Sequence, residues 1–303
     1  MDRIEVTRRA GVEDAAGIAT LLAAAAEALG RRPLDDDSWL ALVAGRRSGF
    51  AGFVARPEDG TTILGYAQLD RAPGSWGLAY VLDPAGDDAP AIGRALCRAA
   101  LDLVGEEGGG HVQLWIRSPT ATSDEVASSV GLARGRELHR MRRPLPVEEE
   151  TSPPIATRPF RVGLDEHAWL ETNNRAFASH PDQGCWSRGT LVGRERQPWF
   201  DPEGFLIHEI DGKIAAFCWT KVHGGDPPLG EIYVLGVDPA VQGRGVGRRM
   251  LHAGLAWLSA KELRAVILYV DTDNTRAVEL YRALGFVVDH DDRAYVVEVE
   301  PTR

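Results

Sequence analysis

The stretch Gly236 to Leu251 reads GVDPAVQGRGVGRRML. It closes an apolar, strand-like run (EIYVLGV, 231–237), crosses glycines at 243, 245 and 247, and enters a segment with helical apolar spacing over 248–258. Glycine admits positive φ and lets backbone approach a ligand with no Cβ in the way. Amides at the mouth of the following helix then converge on an anion, helped by the positive end of its dipole. Arg244, Arg248 and Arg249 add charge of the right sign. This chemistry predicts a pyrophosphate cradle on Gln242, Gly243, Arg244, Gly245, Val246, Gly247 and Arg248. It is no P-loop, because Gly-Lys-Ser/Thr does not follow, and no dinucleotide fingerprint, because the spacing is not G-x-G-x-x-G. Taken alone, the loop also reads as a tight turn and nothing more.

An earlier stretch, Val81 to Leu96, reads VLDPAGDDAPAIGRAL. VLDPA at 81–85 matches GVDPA at 236–240 at an offset of 155, and Gly131-Leu132 matches Gly285-Phe286 at an offset of 154. Near-constant spacing across separate motifs argues for a tandem duplication. Each half repeats one order of signals. Strands are expected at 50–55, 63–69, 78–82, 112–116 and 137–142, with helices at 92–104 and 124–130. The second half answers with strands at 205–210, 213–220, 231–237, 265–270 and 294–299, and helices at 248–258 and 275–284. Asp211-Gly212 is a hairpin turn signal. The segment RPLPVEEETSPPIATRP (143–159) has linker chemistry, since prolines break helices and glutamates favour solvent. In the first copy of the loop Gly93 survives near the helix start. Asp87 and Asp88 nevertheless bring negative charge where a diphosphate would lie, and Pro90 lacks an N–H. The first half is therefore expected to be catalytically silent.

The 303 residues are 44% hydrophobic and 26% charged, the balance of a globular protein with ample core. A net charge of -10 argues against nucleic acid or an anionic membrane as the main partner. Cys97, Cys185 and Cys218 show no C-x-x-C or metal-ligand spacing and read as buried or partly buried thiols in a reducing cytoplasm. The N-terminal segment lacks the apolar core of a signal peptide. Ala-rich 18–29 is too short to span a bilayer and reads as a helix. His180, His208 and His223 form no metal set, and His223, beside Gly-Gly, reads as a loop residue.

Beyond the loop, a strand leads into DTDNTRAVELYRALGF (271–286), the pattern D-x-x-N-x-x-A-x-x-x-Y-x-x-x-G-F. The two elements together resemble the GNAT acetyltransferase superfamily. HPDQGCW (180–186), WFDPEGF (199–205), WTKVH (219–223), GEIYVLGVDP (230–239), MRRPL (141–145) and LYVDTDN (268–274) resemble more narrowly the mycothiol synthase family of actinobacteria, across both halves and the linker. The resemblance implies an α/β fold of two tandem GNAT-type domains, each a mixed, largely antiparallel sheet flanked by helices. They would span 1–145 and 160–303, joined by a linker at 146–159. It implies acetyl-CoA as co-substrate and no metal. The acceptor would be the cysteinyl amine of cysteinyl-glucosaminyl-inositol, a small pseudo-disaccharide thiol, handled by a cytoplasmic monomer. Two other readings stay open: an N-acetyltransferase for another small amine or peptide, and a non-catalytic acyl-CoA-sensing scaffold.

The resemblance also implies roles for particular residues of this chain. Glu231 takes the position of a general base for an α-amine that is largely protonated at neutral pH. Its plain reading is a solvated strand-end glutamate. Tyr281 takes that of the general acid for the leaving thiolate, its plain reading being an aromatic packed on the sheet. Leu235, Gly236 and Val237 would pair with the pantetheine arm, an N–H at Leu235 or Val237 would face the acyl oxygen, and Asn274 would add a cofactor contact. In the first half the corresponding backbone is at Tyr80, Val81 and Leu82. The acceptor would meet Asp36, Asp182, Lys221, Glu231 and Tyr269. Asp36 and Asp182 stand where the family commonly has the longer glutamate, and Asp36 also reads as a helix cap within Asp35-Asp36-Asp37. Trp186, Trp199 and Trp219 are core or pocket wall.

Overall fold

The computed structural model describes residues 4–8, 14–29, 33–34, 49–58, 60, 62–72, 74–86, 88–146, 154–180, 183–225 and 227–302. The chain divides into two compact units, residues 1–138 with 290–303, and residues 139–289.

In the first unit β1 (Ile4–Thr7), β2 (Phe50–Pro57), β3 (Gly65–Ala72) and β4 (Ser75–Leu82) form an antiparallel run. β5 (Gly110–Arg117) joins β4 in parallel. α1 (Ala15–Leu29) covers one face, where Ile18, Leu21 and Ala25 meet Val54, Tyr66 and Val81. α2 (Ala89–Glu106) covers the other, where Leu96, Ala100 and Val104 meet Phe53, Leu69, Leu78 and Leu114. Neighbours Phe53 and Val54 thus serve opposite cores, as the period of two in a strand dictates. α3 (Ala121–Ser129) follows β5 and is capped by Thr120, whose hydroxyl accepts from the Ser123 N–H.

β6 (Ala133–Pro144) crosses from the first unit into the second. Within the second unit, β7 (Arg158–Pro159), β8 (Phe205–Ile210), β9 (Lys213–His223) and β10 (Leu229–Val237) are antiparallel neighbours, and β11 (Ala265–Asp271) joins β10 in parallel. The β8–β9 hairpin turns at Asp211 and Gly212, both at positive φ, the geometry the Asp-Gly pair predicts. α4 (Glu166–Ala176) and α5 (Arg188–Glu195) lie with an aromatic core of Trp169, Phe205, Phe217 and Trp219. α6 (Val246–Ser259) and α7 (Thr275–Ala283) lie with the aliphatic core of the opposite face, Ile232, Met250, Leu255, Leu268 and Val278.

Two boundaries differ from the sequence expectation. The last strand, β12 (Val287–Val299), was expected in the second domain. Instead its residues Asp292–Val299 pair antiparallel with Arg117–Gly110 of β5. Tyr295 is buried in the first core, and Arg293 reaches Asp124 and Glu137 there. The linker also ends early. Ile155 is buried, and Arg158 ties β7 to Asp165 and Glu209 at 2.6 and 2.5 Å. Cys97 and Cys218 are buried as expected, whereas Cys185 is exposed.

The duplication is visible in backbone detail. The Asp83 carboxylate accepts from the Ala85 N–H, and that of Asp238 from the Ala240 N–H. Gly86 N–H donates to the Asp83 carbonyl as Val241 N–H does to that of Asp238. At the ends of α3 and α7, Gly131 and Gly285 take φ of 84° and 81°. Leu132 and Phe286 then donate back to the Ala127 and Tyr281 carbonyls.

Candidate active site

β10 carries the candidate site. It stays paired with β9 to Val237, but its parallel pairing with β11 is confined to Gly230↔Val266 and Glu231↔Ile267. Beyond Glu231 the two strands part, so the β11-facing backbone of Leu235, Gly236 and Val237 has no strand partner on that side among the described residues. A bulge sits at the parting point. Ile232 faces Thr220 and Val234 faces Trp219, which leaves Tyr233 as the extra residue. Tyr233 and Val234 therefore both join the aromatic core, while Leu235 and Val237 turn to the α6 side with Ile232. Without the bulge those two side chains would face the other way.

The glycine loop takes the form its chemistry predicts. After a short 3-10 turn at Pro239–Val241, Gln242 is extended and its amide nitrogen donates to the Val237 carbonyl at 3.1 Å. Gly243 and Gly245 have φ of 78° and 73°, and a Cβ at either would meet nothing within 4 Å. Gly245 is the N-cap of α6 and offers no side chain to its first-turn amides, and the first turn holds no acid. Positive φ, open space and first-turn amides with no side-chain cap suit a phosphate. Arg244 and Arg248 are exposed beside it. Gly247 instead packs on Val237, 3.4 Å from the place of its Cβ. Asn274 is the N-cap of α7, accepting from the Ala277 N–H at 3.2 Å.

Glu231 is buried, with only 8% of its side chain exposed. Its Oε2 lies 2.5 Å from Nε2 of His223. Lys221 stands opposite Glu231 in the β9–β10 register. Its Nζ lies 4.6 Å from the Trp199 ring centroid and 5.6 Å from that of Tyr233, a cation–π seat. Burial pushes the Tyr233 phenol up, with the Glu231 charge adding to it and Arg194 opposing. His223 is thus not a loop residue but the end of β9, paired across from Leu229. The β9–β10 register supplies what the sequence lacked: 221 and 223 share a strand face, and 231 is the register partner of 221. Trp219 is wholly buried and stacks on Phe205 at 4.3 Å, so it is core, whereas Trp186 and Trp199 are only half-buried.

Tyr281 is buried on the opposite face, and burial holds its phenol well above the ordinary value, with Cys218 adding to the effect. Cys218 is the register partner of Leu235, which places the phenol near the parted stretch of β10. Tyr269 is half-buried on β11. Two residues on, Asp271 pairs with His180 at 3.4 Å. His180 and buried Asn173 hold Gln183 on the far side of the 181–182 segment. Asp182 and Asp36 lie outside the described residues.

The first unit keeps the parting without the bulge. β4 pairs with β5 over Ser75–Leu78, leaving Tyr80, Val81 and Leu82 beyond it, but the β3–β4 register is unbroken and carries no bulge. Position 231 corresponds to Trp76 on the constant offset, or to Gly77 once the missing bulge residue is allowed for. Neither transfers a proton. Position 281 corresponds to Ala127. Asp88 is the N-cap of α2 and Pro90 lies in its first turn. Gly93 is inside the helix, 2.8 Å from Val126 at the place of its Cβ, so it serves packing with α3 and not an anion.

Among the described residues, no three of His, Cys, Asp and Glu are grouped to hold a metal, and no helix is long and apolar enough to cross a membrane. The acetyltransferase (GNAT) family profile matches residues 164–286, which include both the glycine loop and the Tyr281 helix. A mycothiol acetyltransferase of Thermobispora bispora is 43% identical over 94% of this chain and 95% of its own length. Two solved structures share the fold. A GCN5-related N-acetyltransferase from Sphaerobacter thermophilus has TM-score 0.76 at 23% identity, covering 100% of this chain and 98% of its own. A tandem GNAT protein from the clavulanic acid biosynthesis pathway has TM-score 0.69 at 17% identity, covering 99% of this chain and 100% of its own. With one relative this similar over nearly its whole length, and the parted, bulged strand and glycine-capped helix in place, the chain belongs to the mycothiol acetyltransferase family of GNAT acetyltransferases.

Proposed function

We propose that the second unit acetylates the cysteinyl amine of cysteinyl-glucosaminyl-inositol with acetyl-CoA, giving mycothiol. The observation that carries this reading is a single strand, β10, with a buried carboxylate, Glu231, just before its bulge and an open helix mouth just after it. Acetyl-CoA supplies an activated thioester acyl group. Its diphosphate fits the loop at Gln242 to Arg248, since the space a Cβ would fill at Gly243 and Gly245 is open. The unpartnered backbone of Leu235, Gly236 and Val237 suits an amide-bearing arm by strand addition.

The protein's own groups then have separable tasks. Glu231 takes a proton from the acceptor ammonium, freeing the amine to attack. Tyr281, kept protonated by burial, holds a proton for the departing sulfur. Lys221 and Tyr269 border the acceptor side. Two bound substrates held in line need no acyl-enzyme, and the wholly buried Cys218, its thiol pushed up to about 12, is a poor nucleophile. The first unit, with Asp88 at its helix mouth and no base at 76 or 77, does not turn over. We read the enzyme as a cytoplasmic monomer acting on a small thiol.

The test is acetyl transfer from acetyl-CoA to a panel of amines. Cysteinyl-glucosaminyl-inositol is expected to exceed free cysteine, glucosamine and short peptides in kcat/KM. A faster peptide or simple amine would replace the acceptor named here. Binding of acetyl-CoA with transfer to no amine would point to a sensor.

A further inference from the structure

A buried carboxylate that removes a proton from a substrate must also lose it, and Glu231 has little contact with water. Its side chain is 8% exposed, whereas that of His223 is 34% exposed. Among the described residues His223 is the side chain hydrogen-bonded to the Glu231 carboxylate, with Nε2 2.5 Å from Oε2. Lys221 on the same strand is engaged with the rings of Trp199 and Tyr233. The residue across from Glu231 on β11 is apolar Ile267. Charged or titratable neighbours are thus Lys221, Tyr233 and, through Tyr233, Arg194.

We propose that His223 is a positioning and proton-relay residue, which fixes the Glu231 carboxylate and conducts to solvent the proton that Glu231 accepts. This rests on the base role of Glu231 proposed above. At rest Nε2–H of neutral His223 donates to the Glu231 carboxylate. The proton leaves the acceptor nitrogen for a Glu231 oxygen, and exchange with water moves the His223 proton from Nε2 to Nδ1. Nε2 then takes the proton from the Glu231 carboxyl, and the imidazolium releases its Nδ1 proton to water, which restores the carboxylate and the resting Nε2–H. No other bond forms or breaks. The β9–β10 register makes the arrangement: His223 is the diagonal neighbour of Glu231, on the same face and two residues beyond Lys221. A histidine suits the task because it gains and loses a proton near neutrality.

The experiment measures kcat and KM from about pH 6 to 9 for wild type, His223→Ala, His223→Gln and Glu231→Gln, with acetyl-CoA and cysteinyl-glucosaminyl-inositol. Unfolding midpoints of each variant are recorded alongside. Both His223 variants are expected to lose about 10- to 100-fold in kcat, with the KM for acetyl-CoA unchanged. Glutamine still donates to Glu231 but carries no proton onward, so its loss isolates the relay from the positioning. Added imidazole should restore His223→Ala several-fold, by an amount that follows the concentration of neutral imidazole. Wild-type rates in both His223 variants, or a slow His223→Ala that imidazole does not restore, overturn the relay while leaving Glu231 as the base. A Glu231→Gln enzyme as fast as wild type overturns the base assignment and the relay with it.

Discussion

The ring of Phe217 occupies the space a side chain at position 236 would need: a Cβ on Gly236 would lie 2.3 Å from its nearest carbon. The two residues are register partners on β9 and β10, in the stretch where β10 has left β11. Phe217 is wholly buried and meets Trp169 edge to face at 5.2 Å, so it has little room to yield. Gly236→Ala is therefore expected to lower the stability of the second unit by about 1–3 kcal/mol, as overpacking does. Chemical denaturation followed by tryptophan fluorescence measures it, and unchanged stability would show that the ring moves aside.

A second expectation contrasts the two helix mouths. Gly245→Asp places a carboxylate at the mouth of α6, where Asp88 stands at that of α2. The negative charge faces the proposed diphosphate site, so affinity for CoA should fall by about tenfold or more, and less at high salt. Calorimetric titration with CoA reads this directly. Asp88→Gly in the first unit should leave kcat where it was.

Asp165 sets an acid limit on stability. Burial alone would raise its carboxyl, but hydrogen bonds from Arg161 and Arg158 outweigh it and hold the group at about 2. A carboxyl lowered on folding stabilises above its unfolded value near 4 and loses that contribution as pH falls toward 2. The loss amounts to about 2 kcal/mol for the native chain. Unfolding free energies between about pH 5 and 2 should show this slope in wild type and a shallower one in Asp165→Asn.

Tyr281→Phe removes the proposed acid and little else, since the phenol sits among apolar residues of the α6 core. The expected result is a fall in kcat of about 10- to 100-fold, with the folded state kept and acetyl-CoA affinity near wild type. An unchanged kcat in steady-state assays would assign Tyr281 to packing alone.

Much of this was legible in the chain, and the omissions have physical causes. β8 runs over Phe205–Ile210 as its apolar run and the Asp-Gly turn indicate, and the glycine loop has the positive φ its composition requires. α4 gave no periodic signal because its buried face includes Thr172 and Asn173, which hydrogen bonds make acceptable there. The bulge at Tyr233 was invisible because an extra residue in a run of apolar ones leaves no mark; only pairing with β9 exposes it. His223 was misread for the same reason. Its neighbours Gly224 and Gly225 describe the turn, while its role comes from a partner eight positions on. Asn274, expected to meet the cofactor, also caps α7 with its side-chain oxygen.

The destination of β12 has a consequence for synthesis. A ribosome delivers β1 to β5 early, but the strand that covers β5 and buries Tyr295 comes at 292–299, after the whole of 139–289 has emerged. The earlier-made unit must wait with an open sheet edge, a template for unwanted pairing. The later-made unit, continuous in the chain, can finish first. Order of translation and order of completion are thus reversed, and one half cannot be expressed alone by cutting the chain at its midpoint. Its nascent form is incomplete until residue 299 has emerged.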